Sequence, residues 1–229
     1  VKRVFSDEWE HLLRVFIKQE PHKIAKSEEK RWRLIMAGSL PVQVAWHMTF
    51  GYMNTLEIDK AYFIPSQQGM QIFSGNWKSF YEQWIDQGMT TSLDKQAWDW
   101  TMPYWTIQAD LEFRRRMGRG RKMGEWWPIA QMLYRHMFEH PILVLSDGSM
   151  YQQVYPGIMK SGCVNTISTN GHGQSLIHCI VCLRAGVDPS PLPRSCGDDT
   201  LQRASQVMDL NDYARFGVRI KSVSTTMEF

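Results

Sequence analysis

An α+β fold, in which an antiparallel sheet is backed by helices, is predicted from three features of the chain. Short stretches alternate apolar and polar residues with period two, as half-buried strands do. Longer stretches repeat apolar residues at helical spacing, and these stop at a glycine or ahead of a proline. The 229 residues are 43% hydrophobic, with ten Trp and fourteen Met, which suffices for a core in one large domain or two small ones. No internal repeat and no low-complexity linker interrupts the chain.

Each element follows from its residues in turn. Residues 13–18 (LRVFIK) alternate and form a strand that Pro21 ends, and 33–36 form a second short strand. A helix over 41–52 carries Val42, Val44, Ala45, Met48 and Thr49. Residues 77–87 are helical and end at Gly88, and the next strand, 89–93, delivers Asp94 at its carboxyl end. The helix over 126–138 stops before Pro141, and strands at 142–145 and 151–155 flank Asp147-Gly148, a favoured hairpin turn. The stretch 165–185, with Ile167, Leu176, Ile177, Ile180 and Val181, is a helix that Gly186 ends. Pro189, Pro191 and Pro193 force an irregular connection into a short strand presenting Asp198. A last helix is expected over 201–216, capped by Gly217, and Val218-x-Ile220 begins another strand.

The net charge of +3 argues for no partner, but its distribution does. Arg14, Lys18, Lys23, Lys26, Lys30, Arg31 and Arg33 crowd the first part, and Arg114, Arg115, Arg116, Arg119, Arg121 and Lys122 a glycine-punctuated stretch. Basic clusters suit a polyphosphate path, and a solvated face is the alternative. Cys163, Cys179, Cys182 and Cys196 are too few and too irregular for a disulfide framework, which points to a reducing compartment. Cys179-x2-Cys182, with His178 and His172 nearby, falls in an expected helix without a second such pair, so no zinc clip is assigned. No apolar run approaches the ~20 residues of a membrane span, and no signal peptide is visible.

Three motifs carry chemistry: Asp94-x4-Asp99, Ser161-Gly162-x3-Thr166-x3-Asn170, and Gly197-Asp198-Asp199. At average composition the first is expected about once by chance in such a chain, the third in roughly one chain in twenty, and the second in roughly one in several hundred. Their joint occurrence in order therefore outweighs the turn or helix-cap roles that Gly197-Asp198, Ser161 and Asn170 could each have separately. Carboxylates gathered from distant points suit two hard cations sharing oxygen ligands. Asp94 and Asp198 are the expected metal ligands, Asp199 assists, and an oxygen-only site fits magnesium. Asp99 lies far enough past Asp94 to turn toward a nucleotide sugar and accept from Asn170. Ser161, Thr166 and Asn170 supply groups suited to reading a 2′-hydroxyl. Lys18, Arg31 and Arg33 are candidates for gripping a triphosphate, with Lys23 weaker. Arg31 and Arg33, two apart on a strand-like segment, are expected to share a face. Lys221 is a candidate general acid for leaving pyrophosphate, a solvated edge-strand lysine being the alternative.

The order of these motifs resembles motifs F, A, B and C of positive-strand viral RNA-directed RNA polymerases, and within them the sobemo-like group. Lys18-Gln19-Glu20-Pro21-His22-Lys23 with Arg31-Trp32-Arg33-Leu34-Ile35-Met36, Trp98-Asp99-Trp100, and Ser195-Cys196-Gly197-Asp198-Asp199 carry the match, which covers nearly the whole chain. The resemblance implies a right-hand polymerase fold, templated RNA synthesis with magnesium or manganese, and ribonucleoside triphosphates as substrates. It also implies an RNA template and nascent strand, other viral replication proteins as partners, and replication complexes in the host cytoplasm. Fingers are expected over 1–88 (motif F), palm over 89–110 (motif A), a fingers return segment over 111–157, and palm again over 158–229 (motifs B, C and D). Beginning without Met and stopping at Glu228-Phe229 in a strand-like pattern, the chain is expected to be an excerpt of a larger polyprotein product, without motif E or thumb. Gly171 stands where many relatives carry Ser or Thr. A reverse transcriptase is the first rival, disfavoured by Asp99 and by glycine before the paired aspartates. An inactive RNA-binding module of polymerase-like shape is the second, disfavoured because a carboxylate cluster is costly without a cation.

Overall fold

The computed structural model describes residues 1–225. Chain order is α1 (Lys2–Phe5), β1 (Leu12–Ile17), α2 (Ile24–Glu28), β2 (Leu34–Gly38), α3 (Leu40–Asp59), α4 (Asn76–Asp86), β3 (Met89–Lys95), α5 (Trp98–Thr101) and α6 (Tyr104–Met117). Then come α7 (Met123–Phe138), β4 (Ile142–Val144), β5 (Met150–Gln152), α8 (Thr166–Arg184), β6 (Arg194–Cys196), β7 (Asp199–Arg203), α9 (Leu210–Arg215) and β8 (Ile220–Thr225). Two compact units result: Val1–Gly51 with Gly118–Thr166, and Tyr52–Met117 with Ile167–Phe229. The second unit takes in 52–88 and 111–117 and the first takes in 158–166, so the units divide at other positions than the bounds expected from the sequence.

The first unit holds a sheet of order β2-β1-β4-β5. β1 pairs β2 antiparallel (Val15↔Met36) and β4 parallel (Leu13↔Leu143), and β4 and β5 form the hairpin expected around Asp147-Gly148. Leu13, Val15 and Met36 are buried, as alternation requires, together with Trp46 and Phe50 of α3 and Leu133, Tyr134 and Phe138 of α7. Trp46 stacks on Tyr134 at 5.3 Å and meets Phe138 edge-on at 6.4 Å. Such ring pairs contribute about 0.5–1.5 kcal/mol each beyond area burial, which fixes α3 against α7.

The second unit holds an antiparallel sheet of order β6-β7-β3-β8. In β3, Met89, Thr91, Leu93 and Lys95 are buried, while Thr90, Ser92 and Asp94 are half-buried. This period-two division sets Asp94 on the opposite face from Lys95. Among the described residues no helix is long and apolar enough to cross a membrane.

Three local expectations are corrected, and one helix went unforeseen. Residues 201–216 are not one helix: 199–203 are strand β7, a 3-10 helix follows at Ala204–Gln206, and only Leu210–Arg215 is α-helical. Leu201-Gln202-Arg203-Ala204 are good helix formers, but pairing with β3 overrides that propensity, with polar Thr200 and Gln202 as the buried set. Helix α3 runs on to Asp59 because Glu57 is held in a buried polar network, which leaves no apolar periodicity to read. Helix α6 had no sequence signal except Ile107 and the i, i+4 pair Asp110 and Arg114, all buried. Finally, Arg31 and Arg33 precede β2, which begins at Leu34, so strand alternation does not place them on a common face. The strand-like pattern ending at Glu228-Phe229 lies outside the described residues.

Candidate active site

Asp94 is the penultimate residue of β3 and pairs with Ser222 of β8. On its other side the ladder's last paired positions are Leu93 and Thr200, so Asp94 stands opposite Asp199 one step on. Cys196 and Asp199 close the β6–β7 hairpin around the two-residue turn Gly197-Asp198. Gly197 has φ +66, and a two-residue hairpin loop with a left-handed first position favours glycine there. The turn therefore carries Asp198 at its tip and Asp199 at its exit.

The charges at this sheet end are mutually felt. Burial, then the neighbouring Asp198 and Asp94, hold the Asp199 carboxyl above its ordinary pKa. Lys221 Nζ, on β8, donates to Asp94 Oδ2 at 2.5 Å. Lys95, buried beneath, donates to Thr200 Oγ1 at 3.4 Å; burial pushes its pKa down to about 7 against the opposing fields of Asp198 and Asp94. Sequence reasoning passed over Lys95, although alternation from Leu93 places it on the buried face.

Helix α8 ties the motifs together. Asn170 Nδ2 donates to Asp99 Oδ1 at 3.0 Å, the pairing expected from the sequence. The Asn170 amide oxygen is buried without a hydrogen-bond partner. One turn on, Gln174 Nε2 donates to the carbonyl of Asp198 at 3.1 Å, bracing the hairpin tip. The same face continues to His178, whose Nε2 contacts the carbonyl of Pro189 at 2.9 Å. Positions 170, 174 and 178 are spaced i, i+4, i+8, so a single helix stripe holds both Asp99 and the Asp198 turn.

A second stripe of α8 meets a buried charged network. Arg114 Nε donates to both Asp110 oxygens at 3.2 and 3.1 Å, its Nη1 to Asn54 at 3.0 Å, and its Nη2 to Ser168 at 2.6 Å. His172 bridges Asp110 at 2.5 Å and Glu57 at 3.2 Å. Desolvation opposes its charge, but the hydrogen bonds to Asp110 and Glu57 prevail and raise its pKa to about 9. Two carboxylates thus face a guanidinium and an imidazolium. The basic run from Arg114 divides accordingly: Arg114 is buried, while the exposed Arg115 and Arg116 pair with half-buried Glu112.

The remaining candidates lie in the first unit. Lys18 and Arg33 both reach Glu20, at 2.8 and 3.0 Å, and those hydrogen bonds, Lys18's first, lower the Glu20 pKa. Arg31 pairs with Glu29, and Lys23 is the residue before α2. Ser161 Oγ donates to the Leu34 carbonyl at 2.7 Å. A Cβ on Gly162 would sit 2.5 Å from the Met36 carbonyl oxygen, so glycine serves close approach to β2 there. The Thr166 hydroxyl is directed to the Cys163 and Lys160 carbonyls at 2.7 and 2.8 Å, a helix-start role.

No protein-family model matches the chain. The replicase polyprotein P2AB of Southern bean mosaic virus is 35% identical over 195 residues, 83% of this chain and 19% of that protein. The P2AB of Southern cowpea mosaic virus is 34% identical over 197 residues, again 83% of this chain and 19% of the polyprotein. The RNA-directed RNA polymerase of mushroom bacilliform virus is 29% identical over 196 residues, 83% of this chain and 46% of that protein. The chain therefore spans about a fifth of the sobemoviral polyproteins it matches. In structure it is similar to the Sicinivirus 3Dpol RNA dependent RNA polymerase, with TM-score 0.77 and 17% identity, over 99% of this chain and 48% of that one. At that identity the likeness speaks for the fold.

Proposed function

Because this chain belongs to the viral RNA-directed RNA polymerases, with sobemoviral replicase polyproteins among its relatives, we propose that it copies an RNA template by nucleotidyl transfer from ribonucleoside triphosphates, releasing pyrophosphate. The observation that carries this is the meeting of Asp94, Asp198 and Asp199 at one end of the β6-β7-β3-β8 sheet. The unit with that sheet is assigned as palm and the other as fingers. RNA template and nascent strand are the proposed macromolecular ligands.

The donor set fits magnesium or manganese: it is oxygen only, its carboxylates oppose one another's charge, and an ammonium already stands on Asp94 as a cation would. When bound, such cations would activate the attacking 3′-hydroxyl and neutralise charge on the leaving pyrophosphate. Asp94 and Asp198 would hold them, with Asp199 assisting. Gln174 keeps the hairpin tip in place through the Asp198 carbonyl. Lys221 balances the charge of Asp94 and is proposed to hand an Nζ proton to the leaving pyrophosphate.

Ribose selection is assigned to Asp99 and Asn170. The unpartnered Asn170 oxygen is a standing acceptor, and a sugar 2′-hydroxyl is a donor that would satisfy it. In the enzyme carrying this chain, Asp99→Ala should narrow the preference for ribonucleotides over deoxyribonucleotides by about 10- to 100-fold, the worth of one hydrogen bond to a charged group. Competition kinetics with both nucleotide classes checks this, and unchanged discrimination removes Asp99 from the role.

Lys18, Arg31 and Arg33 are proposed to grip the triphosphate, with Ser161 and Thr166 shaping the loop that precedes Asn170. Arg33→Ala should raise the nucleotide KM and lower kcat, together by about tenfold or more, as for loss of a charged hydrogen bond. Arg33→Lys should restore only part, since a point charge does not replace a planar fork. Steady-state kinetics identical to the parent would reduce residues 31–33 to a basic surface.

A further inference from the structure

We propose that Asp7, His11 and His136 form a site for a zinc-class divalent cation that clips the segment after α1 to the end of α7. Among the described residues they are the group of three whose ligand atoms all lie within 4.8 Å of one another. All three belong to the first unit, apart from the carboxylates of the sheet in the second. Two imidazoles and a carboxylate are a nitrogen-rich, borderline set that suits zinc rather than magnesium.

Independent features of the trio point to a ligand. His11 is 9% exposed, and its Nε2 is buried without a hydrogen-bond partner. A buried polar atom left in that state has a standing cost that a bond to a cation would remove. The His11 and His136 rings stack with centroids 4.0 Å apart and planes 3° from parallel, so a cation shared by their in-plane nitrogen lone pairs requires one ring to turn out of the stack. Asp7 has φ +59, a conformation an aspartate tolerates, and its Oδ2 is held by Arg135 at 3.0 Å. That contact leaves Oδ1, 2.5 Å from His136 Nε2, as the ligand atom. The guanidinium acts on the carboxylate as an outer partner that orients it.

Tetrahedral zinc with bonds near 2.0–2.1 Å places its ligand atoms roughly 3.3 Å apart. The Asp7–His136 contact would open by about 0.8 Å and the other separations close by at most about 1.5 Å, which side-chain rotations supply. Three protein ligands leave one position for water.

The test uses the whole chain, stripped with a chelator and dialysed against zinc sulfate with magnesium chloride in excess to occupy oxygen-only sites. Elemental analysis should find one zinc per chain, and the melting temperature should rise with zinc concentration. Asp7→Asn, which keeps the left-handed backbone, and His136→Ala should each weaken zinc binding by at least about tenfold. Cys179→Ser should leave it intact. Cobalt bound in place of zinc should give ligand-field bands without thiolate charge transfer. Zinc retained by Asp7→Asn, thiolate absorption with cobalt, or no saturable binding by the parent chain, meaning an adventitious ion only, would each overturn the site. Should His136→Ala fail to fold, Asp7→Asn decides.

Discussion

Asp198→Asn should lower RNA-templated nucleotide incorporation by on the order of 10³-fold or more while leaving the fold intact, the scale reached when preorganised charge stabilisation is lost. Asp198 is exposed at the tip of a two-residue turn, and its neighbours hold that turn through backbone: Gln174 donates to its carbonyl, not to its carboxylate. The amide is isosteric, so β6 and β7 keep their pairing, and what disappears is a negative charge directed at the place where cations gather. Asp94→Asn should be as damaging, with an added signature. Its carboxylate is the acceptor for Lys221, so the ammonium loses its counter-charge as well. Incorporation assays on a short primer–template, with far-UV circular dichroism and thermal melts as controls, separate lost chemistry from lost structure. Near-parental incorporation by either variant removes that aspartate from the reaction.

The largest effect on stability is expected at Arg114. Replacement by Met should destabilise the chain by about 3–5 kcal/mol, because removing one partner of a buried ion network leaves an uncompensated buried charge. Asp110 would keep Thr169 and His172, but its two contacts from Arg114 Nε would be gone, as would the Ser168 contact from Nη2. The network also has a pH signature. His172 has its folded pKa raised to about 9 from the ordinary 6.5, so its stabilising contribution is complete below about pH 6.5 and is lost as pH rises through about 9. Thermal melts across that window should show falling stability, and His172→Gln should flatten the decline. A flat parental profile, or an Arg114→Met variant as stable as the parent, would show that the cluster carries little energy. Since α8 presents Asn170 and Gln174 on one stripe and His172 on another, a weakened network should also loosen the Asp99 pairing.

Much of the site was legible because its chemistry is carried by short, fixed spacings. Asp94-x4-Asp99 places one carboxylate near a strand end and the next in the short helix that follows, and Gly197-Asp198-Asp199 is at once a turn signal and the proposed ligand set. The Asp99–Asn170 contact followed from the roles of the motifs. Strand β7 was hidden for a different reason. Its buried residues are polar, Thr200 donating to the Leu93 carbonyl and Gln202 to the Gln206 carbonyl, so alternation carried no hydrophobic signal. Helix α6 was hidden by its arginines, which resemble a solvated run until Arg114 is seen paired with Asp110, Asn54 and Ser168. Those partners come from distant chain segments, and only folding brings them together. The same is true of Asp7 and His136, 129 residues apart.

The most direct test of the account is a crystal of the chain soaked with manganese and a non-hydrolysable ribonucleoside triphosphate, read by anomalous scattering. Manganese peaks coordinated by Asp94 and Asp198 oxygens, with the triphosphate bridged between them and the sugar facing Asp99 and Asn170, are the predicted result. A well-ordered triphosphate bound elsewhere, or manganese that avoids both aspartates, would contradict the assignment of this sheet end as the nucleotidyl-transfer centre.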